Sequence, residues 1–91
     1  MSARFSLGQT VATPDALAAL TESGHSPCEF LRRHISGDWG DVDAEDQQSN
    51  DDALLHGERL LSAYCTAKGV KLWVITEADR SSTCILLPSD Y

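Results

Sequence analysis

At 91 residues, 42% of them hydrophobic and with two Trp, two Tyr and two Phe, the chain is an ordinary globular composition and a single domain, 1–91. Roughly 65% of the unfolded chain's surface is expected to be buried, which leaves a modest core and no room for a second domain. The formal net charge of -7 repels phosphate backbones and anionic lipid alike, and so argues against direct nucleic-acid binding and against a membrane-surface role.

Met1 to Gln9 carries one Arg and no apolar run long enough for a signal peptide, and no later window approaches a membrane span. The expected compartment is therefore the cytoplasm. The stretch "FSLGQTVA" can add an edge strand to whatever sheet follows. Next come "TPDALAALTESG" (Thr13 to Gly24) and "SPCEFLRRHISG" (Ser26 to Gly37). Each opens on a hydroxyl residue able to cap a helix, places Pro at the first helical position, and closes on Gly. Glu29 stands three residues after Ser26, the spacing of a capping box. Leu17 and Leu20 in the first segment, and Phe30, Leu31 and Ile35 in the second, give each an apolar face at helical spacing. After the "GDWGD" turn, Asp43 can cap a third helix running to about His56 and stopped by Gly57, with Glu45 and Asp46 favourably placed in its first turn.

From Arg59 the pattern changes to "RLLSAYCT", "VKLWVIT" and "STCILLP", three β-rich runs separated by "AKG" and "EADRS". They read as an antiparallel meander of two hairpins. The expected fold is α+β: a helical part over about 13–57 packed on one face of a small three-stranded antiparallel sheet over about 58–88.

Chemistry-bearing residues are sparse. Cys28, Cys65 and Cys84 are odd in number and widely spaced, as reduced thiols in small apolar sites would be. His25, Cys28, His34 and His56 show no paired metal-ligand spacing, and no metal or other cofactor is expected. There is no P-loop, dinucleotide fingerprint, nucleophile elbow or activated Cys, so the chain reads as a non-enzyme with no catalytic residues. What does stand out is "SGDWGDVDAEDQQSNDD", in which Asp38, Asp41, Asp43, Glu45, Asp46, Asp51 and Asp52 occur without one Lys or Arg. Trp39, between Asp38 and Gly40, either plugs the core or stands out as an interface anchor. Glu77, Asp79 and Arg80 lie in a polar "TEADRS" loop between two hydrophobic strands, either a contact site or a loop with its own salt bridge and Asp-based turn.

The combination "LGQTVATP", "GDWGD", "LLSAY" and "LWVITEADRSSTCILLPSDY" resembles a group of small proteins carried on bacterial plasmids and integrative elements, over nearly the whole chain. One departure is Asp15, where the group is expected to have Gly; at the second helical position Asp is mildly favourable. The resemblance implies no catalytic residues. It does imply, by analogy with small acidic proteins of mobile elements, an anti-CRISPR or anti-restriction inhibitor. Rows of carboxylates imitate phosphate charge and can occupy the basic groove of a CRISPR effector or restriction enzyme subunit. On that reading Asp38, Trp39, Asp41, Asp43, Glu45, Asp46, Asp51, Asp52, Glu77, Asp79 and Arg80 form the binding face of a monomer or weak dimer. The bland alternative is a solubilising surface. The other functional alternative is a regulatory or toxin-antitoxin-like module that pairs through its sheet and the "TEADRS" loop.

Overall fold

The computed structural model describes residues 3–91. Its elements in chain order are β1 (Gln9–Ala12), α1 (Pro14–Glu22), α2 (Pro27–Ile35), α3 (Ala44–His56), β2 (Leu60–Cys65), β3 (Lys71–Thr76), β4 (Ser82–Leu86) and a short 3-10 turn, Pro88–Asp90. The punctuation works as the residue types require. Thr13 Oγ1 accepts from the Ala16 N–H, Ser26 Oγ from Cys28, and Asp43 Oδ1 from Asp46. Gly57 leaves α3 in the left-handed conformation. The capping box of α2 does not form, because the Glu29 carboxylate instead accepts from His25 Nδ1 at 2.8 Å. His25 Nε2 then accepts the Ala67 N–H, which ties the α1–α2 turn to the β2–β3 hairpin.

The sheet corrects the expected three-stranded antiparallel meander. It has four strands in the order β1-β4-β3-β2, and β1 lies parallel to β4, with Gln9 beside Ser82 and Ala12 beside Ile85. The meander β2-β3-β4 is present and antiparallel. The mixed sheet arises because "FSLGQTVA" reaches the far side of β4 before the helices begin, so the whole helical part and the first hairpin form the crossover that a parallel pair needs.

Alternation along the strands sends Tyr64, Leu72, Val74 and Ile85 to one face, where Ala16, Ala19 and Leu20 of α1 and Phe30 of α2 pack on them. At one end of that face His34 of α2, with no exposed surface, bridges the sheet: Nδ1 meets Ser62 Oγ and Nε2 meets Thr76 Oγ1. Thr76 Oγ1 continues to Thr83 Oγ1, and the Thr83 hydroxyl donates to the Leu7 carbonyl. Since each hydroxyl has one proton, the chain has one consistent direction. Ser62 donates to Nδ1, Nε2–H donates to Thr76, Thr76 donates to Thr83, and both nitrogens of the buried ring are satisfied.

The third helix is placed differently from its neighbours. Instead of lying over the face it guards the outer edge of β2, where the Asn50 side chain both donates to the Leu61 carbonyl (2.7 Å) and accepts the Leu61 N–H (3.0 Å). Ala53, Trp39 and Leu60 form a second small core beneath it.

Candidate functional site

The acidic stretch begins where α2 ends. Arg33 Nε donates to Asp38 Oδ2 at 2.8 Å, while Asp38 Oδ1 accepts the Gly40 N–H, and the guanidinium hydrogen bond holds the Asp38 carboxyl below the usual carboxylate range. The backbone then runs alongside β2: Ala63 donates to the Trp39 carbonyl (3.0 Å) and accepts the Asp41 N–H (2.7 Å), a short parallel bridge centred on Gly40. With φ of +74° and the Ala63 carbonyl and Tyr64 ring directly against it, position 40 accepts only Gly. Together with Asn50 this bridge closes the outer edge of β2.

Trp39 takes the core position. It is 5% exposed, stacks on Phe5 and meets His34 edge-on, and its indole N–H points to Asp51 Oδ1 at 3.4 Å. It supports the acidic surface from below and presents almost nothing to a partner. Asp41 and Asp43 are exposed, and beyond the Asp43 cap every α3 residue except Asn50, Ala53 and the half-buried Leu54 is exposed. Glu45, Gln48, Asp52 and Leu55 fall at helical spacing on the outward side, with Gln48 donating to Asp52. Leu55 is 80% exposed, a large apolar side chain among carboxylates.

The "TEADRS" loop meets the far end of the same helix. Arg80 adopts a left-handed backbone (φ 61°), and its guanidinium donates to the carbonyls of Ala53 and Glu58 at the end of α3 and to those of Glu77 and Ala78 in its own loop. Asp79 Oδ1 accepts the Ser81 N–H, and hydrogen bonding to Ser81 lowers its pKa. Glu77 lies 3.6 Å from Arg59. Two stretches remote in sequence thus form one continuous edge of the molecule, the acidic helix followed by the hairpin loop, with Arg80 as the joint. Glu77 and Asp79 remain at the surface, whereas Arg80 is occupied by backbone carbonyls.

Sequence reasoning did not single out Asn50 or the clamping role of Arg80. The available signal for Asn50 is its place three residues before Ala53, on the side of a polar helix that must face the sheet. His25 and His34 have both ring nitrogens engaged, and among the described residues no three His, Cys, Asp or Glu side chains converge on a metal-sized site. The Ser62–His34 pair, though hydrogen-bonded, is sealed from solvent and presents no nucleophile to a substrate. No helix among the described residues is long and apolar enough to cross a membrane. No family model, curated protein or solved structure matches the chain.

Proposed function

We propose that the protein is a non-enzymatic binding module whose α3 edge docks into the basic groove of a nucleic-acid-handling defence protein, a CRISPR effector or restriction enzyme subunit, and so excludes nucleic acid. The observation that carries this reading is the pattern of charge pairing. Ion pairs among the described residues engage Glu29, Asp38 and Glu77, and none engages Asp41, Asp43, Glu45, Asp46, Asp51 or Asp52. A merely solubilising surface mixes signs, whereas this one leaves a single sign uncompensated over a rigid helix. Glu45 and Asp52 are seven residues apart, about 10.5 Å along the axis, close to three nucleotide steps of one strand. Leu55 adds an apolar anchor that a protein partner can bury and a nucleic-acid mimic alone would not need.

The test is a DNA-cleavage assay against purified CRISPR effectors and restriction enzymes, beside the double variant Glu45→Lys with Asp52→Lys. Both positions are exposed and leave the Asp43 cap intact. Inhibition that falls steeply between about 50 and 200 mM salt and disappears in the variant is expected. Inhibition unchanged by salt and by charge reversal would move the contact to the sheet, and the regulatory-module reading would replace this one.

A further inference from the structure

The two edges of the sheet are treated in opposite ways. That of β2 is closed by Asn50 and the Gly40 bridge, while that of β1 is open. Gln9 and Thr13 donate their N–H groups to Ser81 and Ile85 on the β4 side, so by alternation the N–H and C=O groups of Thr10 and Ala12 point outward. No partner accepts or donates to them among the described residues. Beside this edge runs a groove floored by α2. Leu31 and Ile35, half-buried, stand one residue past Phe30 and His34, the residues that α2 commits to the core, and Leu31 packs on the rim of that core. The groove has two depressions, of about 260 and 320 Å³, separated by Thr10 and Leu31, which line both. The first is bounded by Leu17 and Ile85, the second by Leu7, Ile35 and Arg32.

We infer that the β1 edge and this groove form a strand-addition site for an extended peptide segment of a partner protein. That segment carries two apolar side chains separated by one residue and followed by carboxylates. A strand laid on β1 uses the outward groups of Thr10 and Ala12, and its alternate side chains drop into the two depressions. Charge decides the rest. Of the five arginines, Arg33 and Arg59 are ion-paired and Arg80 is spent on carbonyls. Arg32 and Arg4 have no side-chain partner among the described residues; Arg32 lines the Ile35 end of the groove, and beyond it the Arg4 N–H donates to the Ile35 carbonyl while its guanidinium lies over Gly37. On a chain of net charge -7 this is a local positive end, matched to an acidic group. Antiparallel addition, the more stable pairing, brings the C-terminal side of the segment there. A second copy fits less well: pairing two four-residue strands covers far less than the roughly 1,200 Å² of a stable dimer and brings together two strongly acidic chains. The site is separate from the α3 edge and does not depend on the function proposed for it.

The probe is a fluorescein-labelled, end-blocked octapeptide with two isoleucines flanking a threonine, followed by two aspartates, titrated by anisotropy and by heteronuclear NMR. Saturable binding with amide shifts at Thr10, Ala12 and Leu31 is expected. Arg32→Glu should weaken it about fivefold and transfer preference to the same peptide with lysines for aspartates. Thr10→Pro removes an outward N–H at an edge position that accepts Pro, and should weaken binding at least about tenfold. Because Arg32 is exposed, its variant remains decisive if the proline variant fails to fold. Absence of saturation at about millimolar peptide, shifts confined to α3, or indifference to Arg32→Glu would overturn the proposal. So would self-association of the free protein abolished by Thr10→Pro, which would assign the edge to a second copy.

Discussion

His34 is the residue on which most of the buried polar architecture turns. Burial, reinforced by the charge of Arg80, pushes its pKa down from 6.5 to about 4, so the neutral ring is the folded form. The unfolded chain takes up the proton near 6.5, and the folded one only near 4. The contribution is therefore fully present above pH 6.5 and is lost as pH falls through that window, by about 3 kcal/mol in all. Urea midpoints should decline between pH 6.5 and 4, and the slope there should flatten in His34→Gln, a variant less stable at neutral pH. Glycines provide a second contrast. Gly40→Ala places a methyl against the Ala63 carbonyl in a left-handed backbone, whereas Gly69, at φ +82°, has open space around it. Denaturant titration should show Gly40→Ala costing about 3 kcal/mol or more and Gly69→Ala about 1.

Among the elements, α3 is the most exposed and its attachment the most concentrated. Asn50→Ala strips both hydrogen bonds from Leu61, leaves its N–H and C=O exposed at the β2 edge, and should cost about 2 kcal/mol. Hydrogen exchange at the Leu61 amide should accelerate in that variant before exchange in β3 does. The helices were legible because Thr13, Ser26 and Asp43 cap where such residues cap, and the meander because three apolar runs, the last two rich in β-branched residues, are separated by short polar turns. The faces were less legible. Phe30, Leu31 and Ile35 suggest one apolar side for α2, yet successive residues on a helix are 100° apart. Phe30 and His34 point inward, and Leu31 and Ile35 turn to the groove. In α1 the buried residues are Ala16, Ala19 and Leu20, and Leu17, one step of 100° past Ala16, is 44% exposed. The parallel pairing of β1 was not legible, since four residues with a single large apolar side chain carry no pattern and their partner lies some seventy residues away. Of the candidate site, the acidic helix could be read directly, but its junction with the "TEADRS" loop depends on the Arg80 contacts and has no local signature.

At the scale of the whole molecule, charge acts on stability and on binding with opposite signs. The uncompensated carboxylates of 41–52 repel one another in the folded state, so added salt should raise stability by about 0.5 kcal/mol while weakening any contact with a basic partner. Thermal melts at low and moderate salt check the first half, and Asp52→Asn, away from the positive end of α3, should reproduce part of it without salt. The remaining face of the sheet carries Leu61, Trp73, Ile75 and Leu86, of which Ile75 and Leu86 are buried, and the C-terminal 3-10 turn packs against β3. Tyr91 lies edge-on to Trp73, with Arg59 over its ring and hydrogen-bonded to its hydroxyl.

The parallel pair has a consequence for how the molecule comes into being. During synthesis the first strand is made long before the last, and until residues 82–86 emerge β1 has no neighbour on either side. The Thr13 hydroxyl likewise waits for Asp90, its acceptor at 2.7 Å. Closing so distant a contact is slow and comes late. A partial chain would therefore carry the α3 segment while lacking the groove, which Ile85 of β4 helps to line. A ligand of the β1 edge would engage only chains that have finished folding, and its binding would serve as a readout of completed assembly.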